Sequence, residues 1–584
     1  MKKKSTLTVL FLITVLAVLV RFYRLDQIPP GLNRDEAAIG YTAYSLLKTG
    51  ADEYGVKWPL SFKSFGDWKV PIYFYLLMPF VKIGGLTEFT TRLPSALLGT
   101  LTVIFTFWVT YELFNEEKNA YKIALSAALI LSLTPWHIFM SRNASESNIA
   151  VFLVLVGIVC FLKSFRYPKL IIISFLFLAL SLYTYHANHI FTPLLIGGIC
   201  ILYRRQVLAN KWFVPAISLF ILLAGFIYSL TLFSADKTKI SGLSPLGDLA
   251  KIYQEIVLRR LEYNQLNPVI NLIHNRPVYF VRTVINNYIK GFSPEFLFIT
   301  GGSNAQHNIP DFGNLYIWEV ITIPFGLFLL FKEKSKHRYF LFFWLLIAPI
   351  AASITKDAPH TNRMMPFLPL PAILSAHGLL GLITLVPTGK WFSKITAAGI
   401  IGIHVLFYLD QYFLHFPYVA AKDWGYGFKE LVSLVTRTEN RYSGIFIDKP
   451  EVSPYIYFLF YQRFDPDTYK KTVVRYPETT EGFQHVHELG NLTFEKNNWT
   501  EELLIPNRLY IGWAENTPSG ATNSATLITK DELLSLQKRG FNTLSTPLGA
   551  YITTRLIHQI KLPNGSPLFY FIETNLGTPS AQLE

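Results

Sequence analysis

The sequence predicts a polytopic α-helical membrane protein of about eleven spans with a soluble α/β domain at its C-terminus. Three observations predict it. Hydrophobic residues make up 51% of the 584 residues and charged residues only 16%, where soluble domains carry about 25% charge. Apolar runs long enough for helical spans recur from residue 6 to residue 413. From residue 419 onward the pattern changes to short apolar runs, such as Gly444–Ile447 and Leu509–Gly512, alternating with charged helical stretches such as Lys530–Arg539.

The runs fall at 6–22, 91–112, 121–140, 147–165, 168–185, 188–203, 212–233, 314–331, 338–354, 364–386 and 392–413. Lys2, Lys3 and Lys4 precede the first. No A-x-A-like site follows it, so it reads as a retained helix rather than a signal peptide. The stretch 70–86 holds Pro71, Pro79, Lys82 and Gly84-Gly85. It reads as an interfacial or re-entrant amphipathic helix, with a further span as the alternative. With the N-terminus in the cytoplasm, four inner loops carry Lys163-Arg166-Lys169, Arg204-Arg205-Lys211, Lys332-Lys334-Lys336-Arg338 and Lys390-Lys394. Only the loop at Glu116-Glu117-Lys118 is not basic. This bias sets the orientation and accounts for much of the net charge of +14. A nucleic-acid partner is therefore not expected. Cys160 and Cys200 lie inside apolar runs, which argues against a disulfide framework or a cysteine zinc site. The expected organisation is a transmembrane domain over 1–418, with outer loops at 24–70 and 234–313, and an extracytoplasmic domain over 419–584. The expected location is the plasma or inner membrane.

Polar clusters fall at the outer ends of these spans. Asn33-Arg34-Asp35-Glu36 follows Pro29-Pro30-Gly31, where the acids also suit the first turn of a helix capped by Asn33. Trp68-Lys69-Val70-Pro71 opens the amphipathic run. Trp136–Glu146 and Tyr183–His189 lie at two further turns, and Thr355–Arg363 at a third. Gly301-Gly302-Ser303-Asn304 is a weak phosphate signal at most. Each cluster alone reads as caps, aromatic belt or turn chemistry. Together they lie on one face, and ionisable groups near a membrane mark function. Cations there suit a phosphate-bearing lipid. A neighbouring carboxylate suits deprotonation of an attacking hydroxyl or amine.

Asp35-Glu36, Trp68–Leu76, Thr91-Arg92-Leu93-Pro94-Ser95-Ala96-Leu97-Leu98-Gly99 and the turns at Arg142–Glu146 and Arg363 carry a resemblance. The chain resembles GT-C membrane glycosyltransferases, in the bacterial branch related to protein O-mannosyltransferases (family 39) and aminoarabinose transferases. The resemblance implies an inverting transfer of a sugar from a polyprenyl-phosphate donor to a lipid, glycan or protein acceptor at the outer face. It implies Asp35 as base with Glu36 beside it. Lys69, Arg142, His360 and Arg363 are the expected donor-phosphate ligands. Glu146, Tyr185, His186 and His189 are expected on the acceptor or sugar side. No cofactor is firmly implied. A divalent metal stays open, although Trp68 stands where some relatives place an acid before the loop lysine, which argues against a family-type metal site. The alternative is a transporter or lipid-linked-sugar flippase, which should show internal repeats with polar residues near mid-span.

Overall fold

The computed structural model describes residues 3–233, 249–262 and 268–577, apart from 334, 388–390, 480–481, 498, 500–504, 528, 530–533 and 535–550. The expected helix at Lys530–Arg539 thus lies almost wholly outside the described residues.

Among the described residues, six helices are long and apolar enough to cross a membrane: Lys4–Phe22, Glu88–Leu113, Glu146–Lys163, Phe213–Leu230, Met365–Leu385 and Trp391–Val419. A seventh candidate is the pair Ala120–Leu133 and Pro135–Ser141, bent by 60°. The bend follows from Pro135, since the residue before a proline is pushed out of the helical region. Thr134 accordingly sits at ψ 125°. Leu170–Leu182, Asn188–Leu202 and His337–Ser353 are apolar but shorter. Every expected run has a helical counterpart, yet a count of about eleven full spans is not confirmed, because several fall short of the ~20 residues a perpendicular crossing needs.

Ile72–Gly84 is a 13-residue helix that buries Tyr73, Phe74, Leu77 and Val81 while Ile83 is 89% exposed. At 1.5 Å per residue it reaches about 20 Å, short of a hydrocarbon core of about 30 Å. Its length and one-sided burial fit the amphipathic reading.

The C-terminal region forms an eight-stranded mixed sheet. Its centre is Gly444–Ile447, paired in parallel with Leu492–Phe494 on one side and Arg508–Trp513 on the other. The remaining pairings are antiparallel and include the long hairpin Tyr551–Lys561 and Pro567–Gly577, with Asn523–Leu527 as the edge strand beyond it. Helix Phe428–Thr438 buries Phe428, Leu431, Val432 and Val435, the one-face spacing of a helix lying on a core.

That domain shares a core with the first loop. Phe62, Phe74, Tyr41 and Leu46 belong to the same buried cluster as Phe458, Phe460, Ile445 and Phe569. Tyr457 donates to the Leu32 carbonyl at 3.1 Å and Tyr455 to Glu53 at 3.1 Å. A Cβ on Gly40 would come within 2.6 Å of the Phe460 ring.

Two fully buried arginines fix the path between the first span and the first loop. Arg142 donates to the carbonyls of Val20 (2.7 Å), Tyr23 (2.7 Å) and Ile28 (3.0 Å). Arg92 donates to those of Leu25 and Pro29, both at 3.0 Å, and of Gly31. Arg92 also forms a two-pronged pair with Glu36, at 2.9 Å for each contact. Removing one partner of such a buried pair strands the other charge and costs about 3–5 kcal/mol. Arg92→Gln should therefore lower the unfolding temperature in detergent sharply, whereas Lys82→Gln on the exposed amphipathic helix should leave it unchanged. Equal melting of the two variants would show that the pair does not hold the frame.

Candidate functional site

Asp35 owes its position to a helix cap. Asn33 accepts from the Glu36 amide at 2.9 Å while its own amide donates to the Glu36 carboxylate at 3.3 Å. This reciprocal cap starts helix Arg34–Thr49 and leaves Asp35 in the first turn, pointing away from the buried Glu36.

Lys69 arrives by a separate route. Phe62–Ser64 and Asp67–Lys69 form a two-stranded hairpin, with Phe62 opposite Lys69. Phe65 and Gly66 both have positive φ, as tight two-residue hairpin turns require. A Cβ on Gly66 would collide with the Gly482 carbonyl, and the Gln484 amide donates to the Phe65 carbonyl at 3.3 Å. The sheet domain thus braces the turn that delivers Lys69.

The two routes meet. Lys69 Nζ lies 3.1 Å from Asp35 Oδ1; the lysine side chain is 9% exposed and the carboxylate 51%. Burial pushes the Asp35 carboxyl up, but Lys69 and then Arg34 outweigh it and hold the group below its ordinary value.

Two other loops complete the surround. His307, which sequence reasoning passed over, feels the charges of Asp35, Arg363 and Lys69 together. Its ring lies 4.8 Å from that of His360. Asn362 Nδ2 is 3.5 Å from His307 Nε2, and Thr361 donates to Asn308 at 2.6 Å. Arg363 donates to Thr355 Oγ1 at 2.9 Å and lies 3.6 Å from Asp357. Trp136 Nε1 donates to the Thr361 carbonyl at 3.2 Å, tying this turn to the bundle. Asp35, Lys69, His360 and Arg363 are therefore gathered at one end of the bundle with His307 between them. A histidine in the loop that also carries the Gly301-Gly302 turn was the available signal, and a lone histidine there is not distinctive.

The other expected site residues are placed differently. Both oxygens of Glu36 are engaged by Arg92, and Oε1 also accepts from the Ala144 amide at 2.9 Å. Arg142 is spent on backbone carbonyls and stacks near Phe413, 4.9 Å from the ring centroid. In this structure Glu36 is bonded into the framework through both oxygens and Arg142 through its two terminal nitrogens, which sets both apart from the Asp35–Lys69 contact. His186 Nε2 donates to the Trp68 carbonyl at 3.0 Å and so supports the strand bearing Lys69. His189 donates to the Leu182 carbonyl at 2.8 Å, and its ring lies 5.2 Å from that of His186. Tyr185 is half-buried in the same turn, and Glu146 is half-buried at the start of helix Glu146–Lys163. Among the described residues, no three His, Cys, Asp or Glu side chains are grouped to hold a metal ion.

Residues 11–234 match the family model of dolichyl-phosphate-mannose-protein mannosyltransferases. That stretch contains Asp35, Lys69 and the Arg92-to-Gly99 string. The resemblance to GT-C glycosyltransferases is borne out. No curated protein matches the chain. Among solved structures, ArnT from Cupriavidus metallidurans in the apo state is similar at TM-score 0.50 and 11% identity, over 96% of this chain and 97% of that one. The same enzyme bound to undecaprenyl phosphate gives 0.48 and 10% over the same shares. The oligosaccharyltransferase AglB from Archaeoglobus fulgidus, with an inhibitory peptide and a dolichol-phosphate, gives 0.45 and 13%, over 79% of this chain and 64% of AglB. The apo ArnT match shows a shared fold from the membrane helices through the sheet domain.

Burial, with the neighbouring Arg363, holds the His307 imidazole at about 4 against the pull of Asp35; burial, His307 and Arg363 hold His360 at about 2. Free histidine titrates near 6.5. As pH falls below about 6.5 the unfolded chain takes up protons that the folded site refuses, so the contribution of these neutral rings is full above that value and is lost towards 4 and below. The wild-type melting temperature should fall between about pH 7 and about pH 5, and should fall less in His360→Gln. Identical falls in both proteins would show that His360 is not held neutral.

Proposed function

We propose that the protein transfers a sugar from a polyprenyl-phosphate carrier to an acceptor at the outer face of the membrane, with inversion at the anomeric carbon. The Asp35–Lys69 contact of 3.1 Å, inside the segment that matches the mannosyltransferase model, carries this reading. Relatives of the same fold have been seen with undecaprenyl phosphate and with a dolichol-phosphate. That supports a lipid phosphate as the leaving group.

In the proposed reaction the acceptor hydroxyl oxygen attacks the anomeric carbon as the bond from that carbon to the phosphate oxygen breaks. The electron pair leaves with the polyprenyl phosphate, and the hydroxyl proton passes to Asp35. A phosphate monoester is already a stable anion, so it needs cations more than a proton donor. Lys69 and Arg363 supply them. Before the donor arrives, the Lys69 ammonium is matched to Asp35 and keeps that carboxylate a weak base. When the phosphate takes over Lys69, the field on Asp35 drops and its basicity rises towards the ordinary carboxylate value. Neutral His307 and His360 suit this arrangement, because protonated rings would oppose the base. They offer ring nitrogens to the sugar hydroxyls. The sheet domain, braced against both catalytic loops, fits a role in holding the acceptor.

Asp35→Asn should cut transfer from a polyprenyl-phosphate sugar by at least about 100-fold, the scale of general-base loss, while melting stays near wild type. Lys69→Ala should mainly raise KM for that donor. A panel of polyprenyl-phosphate sugars incubated with the purified protein measures both. Turnover retained in Asp35→Asn would remove the base assignment, and an unchanged KM in Lys69→Ala would remove the lysine from the phosphate site.

A further inference from the structure

The segment before the His307 loop carries a feature that the proposed reaction does not use. Helix Leu249–Leu261 packs against helix Arg276–Lys290, with the short helix Pro268–Ile273 between them in sequence. Asn275 caps the longer helix, accepting from the Val278 amide at 3.0 Å. A cleft of about 110 Å³ opens at that N-terminus, lined by Glu255, Arg259, Asn275, Val278, Tyr279 and Arg282. Arg282 is exposed and makes no ion pair among the described residues, and Arg259 has Glu255 at 4.0 Å on the rim.

The outward face of helix Arg276–Lys290 is apolar. Val278 (40% exposed), Val281 (53%), Ile285 (54%) and Ile289 (62%) form one row along it, with Leu272 (72%) and Leu258 (53%) beside its start. The helix is fastened down elsewhere: Asn287, opposite the row, donates to the carbonyls of Ser353 and Thr355, both at 3.1 Å, and Tyr288, flanking it, to that of Leu346 at 2.9 Å. A soluble surface does not expose a continuous aliphatic row of this kind, whereas a helix lying at a bilayer surface does. Two arginines beside the head of that row match one chemistry: a phosphate with acyl chains attached.

We propose that this hairpin is a binding site for an anionic phospholipid, its phosphate seated between Arg259 and Arg282 at the N-terminus of helix Arg276–Lys290 and its acyl chains along the row from Val278 to Ile289. The occupant is a lipid of the surrounding leaflet, separate from the sugar carrier at Lys69. Because Asn287 holds Thr355, which accepts from Arg363, the seated lipid also steadies the turn that bears Arg363.

The test uses the full chain reconstituted with phosphatidylglycerol in phosphatidylcholine, transferred to detergent, with retained lipid counted by native mass spectrometry. Phosphatidylglycerol should be retained over phosphatidylcholine. Arg259→Gln with Arg282→Gln should lower its retention roughly thirtyfold, from the usual contribution of two basic residues facing an anionic leaflet. Arg204→Gln with Arg205→Gln, at the other end of the bundle, should retain it like wild type. Arg282→Gln alone, at an exposed position, gives a folded check with a smaller loss in the same direction. Undiminished retention in the Arg259 and Arg282 variants overturns the proposal. So does displacement of the lipid by inorganic phosphate alone, which would mark a free-phosphate site. No step of the test involves sugar transfer, so its failure is distinct from failure of the reaction proposed above.

Discussion

The geometry of this protein depends on how two buried guanidinium groups capture a turn of backbone. Between the end of the first span and Asn33, the chain reverses through Pro29-Pro30-Gly31 and exposes carbonyls that no helix satisfies. Arg142, from the end of a bent helix pair, takes those of Val20, Tyr23 and Ile28; Arg92, from inside a long helix, takes those of Leu25, Pro29 and Gly31. A guanidinium is suited to this because its donors fan out in a plane and its charge persists when buried. Glu36 balances Arg92 and at the same time closes the cap of the next helix. The register of helix Arg34–Thr49 is therefore set by charge pairing, and Asp35 is aimed by its neighbour's confinement.

This division of labour explains why two adjacent acids have opposite environments. Glu36 is 2% exposed and its oxygens are engaged. Asp35, one residue earlier and about 100° around the helix, opens towards Lys69, His307 and the Arg363 turn. Its carboxylate is kept ionised by Lys69 and Arg34, while the two imidazoles nearby are kept neutral by burial and by Arg363. A site that must admit an anion benefits from that balance. In the proposed reaction the resident charges are satisfied before the donor arrives, and its phosphate would exchange one partner of Lys69 for another without adding an unmatched charge to a poorly hydrated place.

Much of this was legible in the sequence. Every apolar run became a helix, the strands at 444–447 and 508–513 sit at the centre of the sheet, and Asp35, Lys69 and the pair His360 and Arg363 came together from three separate segments of the chain. Legibility failed where two roles share one residue type. Arg142 and Glu36 look the same in a sequence as Arg363 and Asp35. Only the count of carbonyls and amides around each shows which are spent. The string Arg92 to Gly99 is diagnostic for the same hidden reason: Asn148 donates to Ser95, and a Cβ on Gly99 would clash with the Ser141 hydroxyl, so the string records close helix packing rather than chemistry. His307 escaped because nothing local distinguishes it; its partners come from the first loop and from the turn at residue 360.

The sheet domain belongs in the same account. Asp35 and Lys69 sit on different local structures, a helix and a hairpin, each too small to hold its own orientation. An isolated two-stranded hairpin is marginal in water, and a 3.1 Å ion pair between a buried amine and a half-exposed carboxylate tolerates little drift. Both elements are seated on the same outside body. Phe460 fills the space at Gly40, Gly482 and Gln484 cover the hairpin turn, and Tyr457 holds the Leu32 carbonyl just before the helix. A body that fixes two side chains of the candidate site relative to each other is part of that site even when it contributes no atom to it. Loosening it at Phe460 or Tyr457 would separate Asp35 from Lys69 without touching either, because the distance between them is a property of the interface and not of either loop.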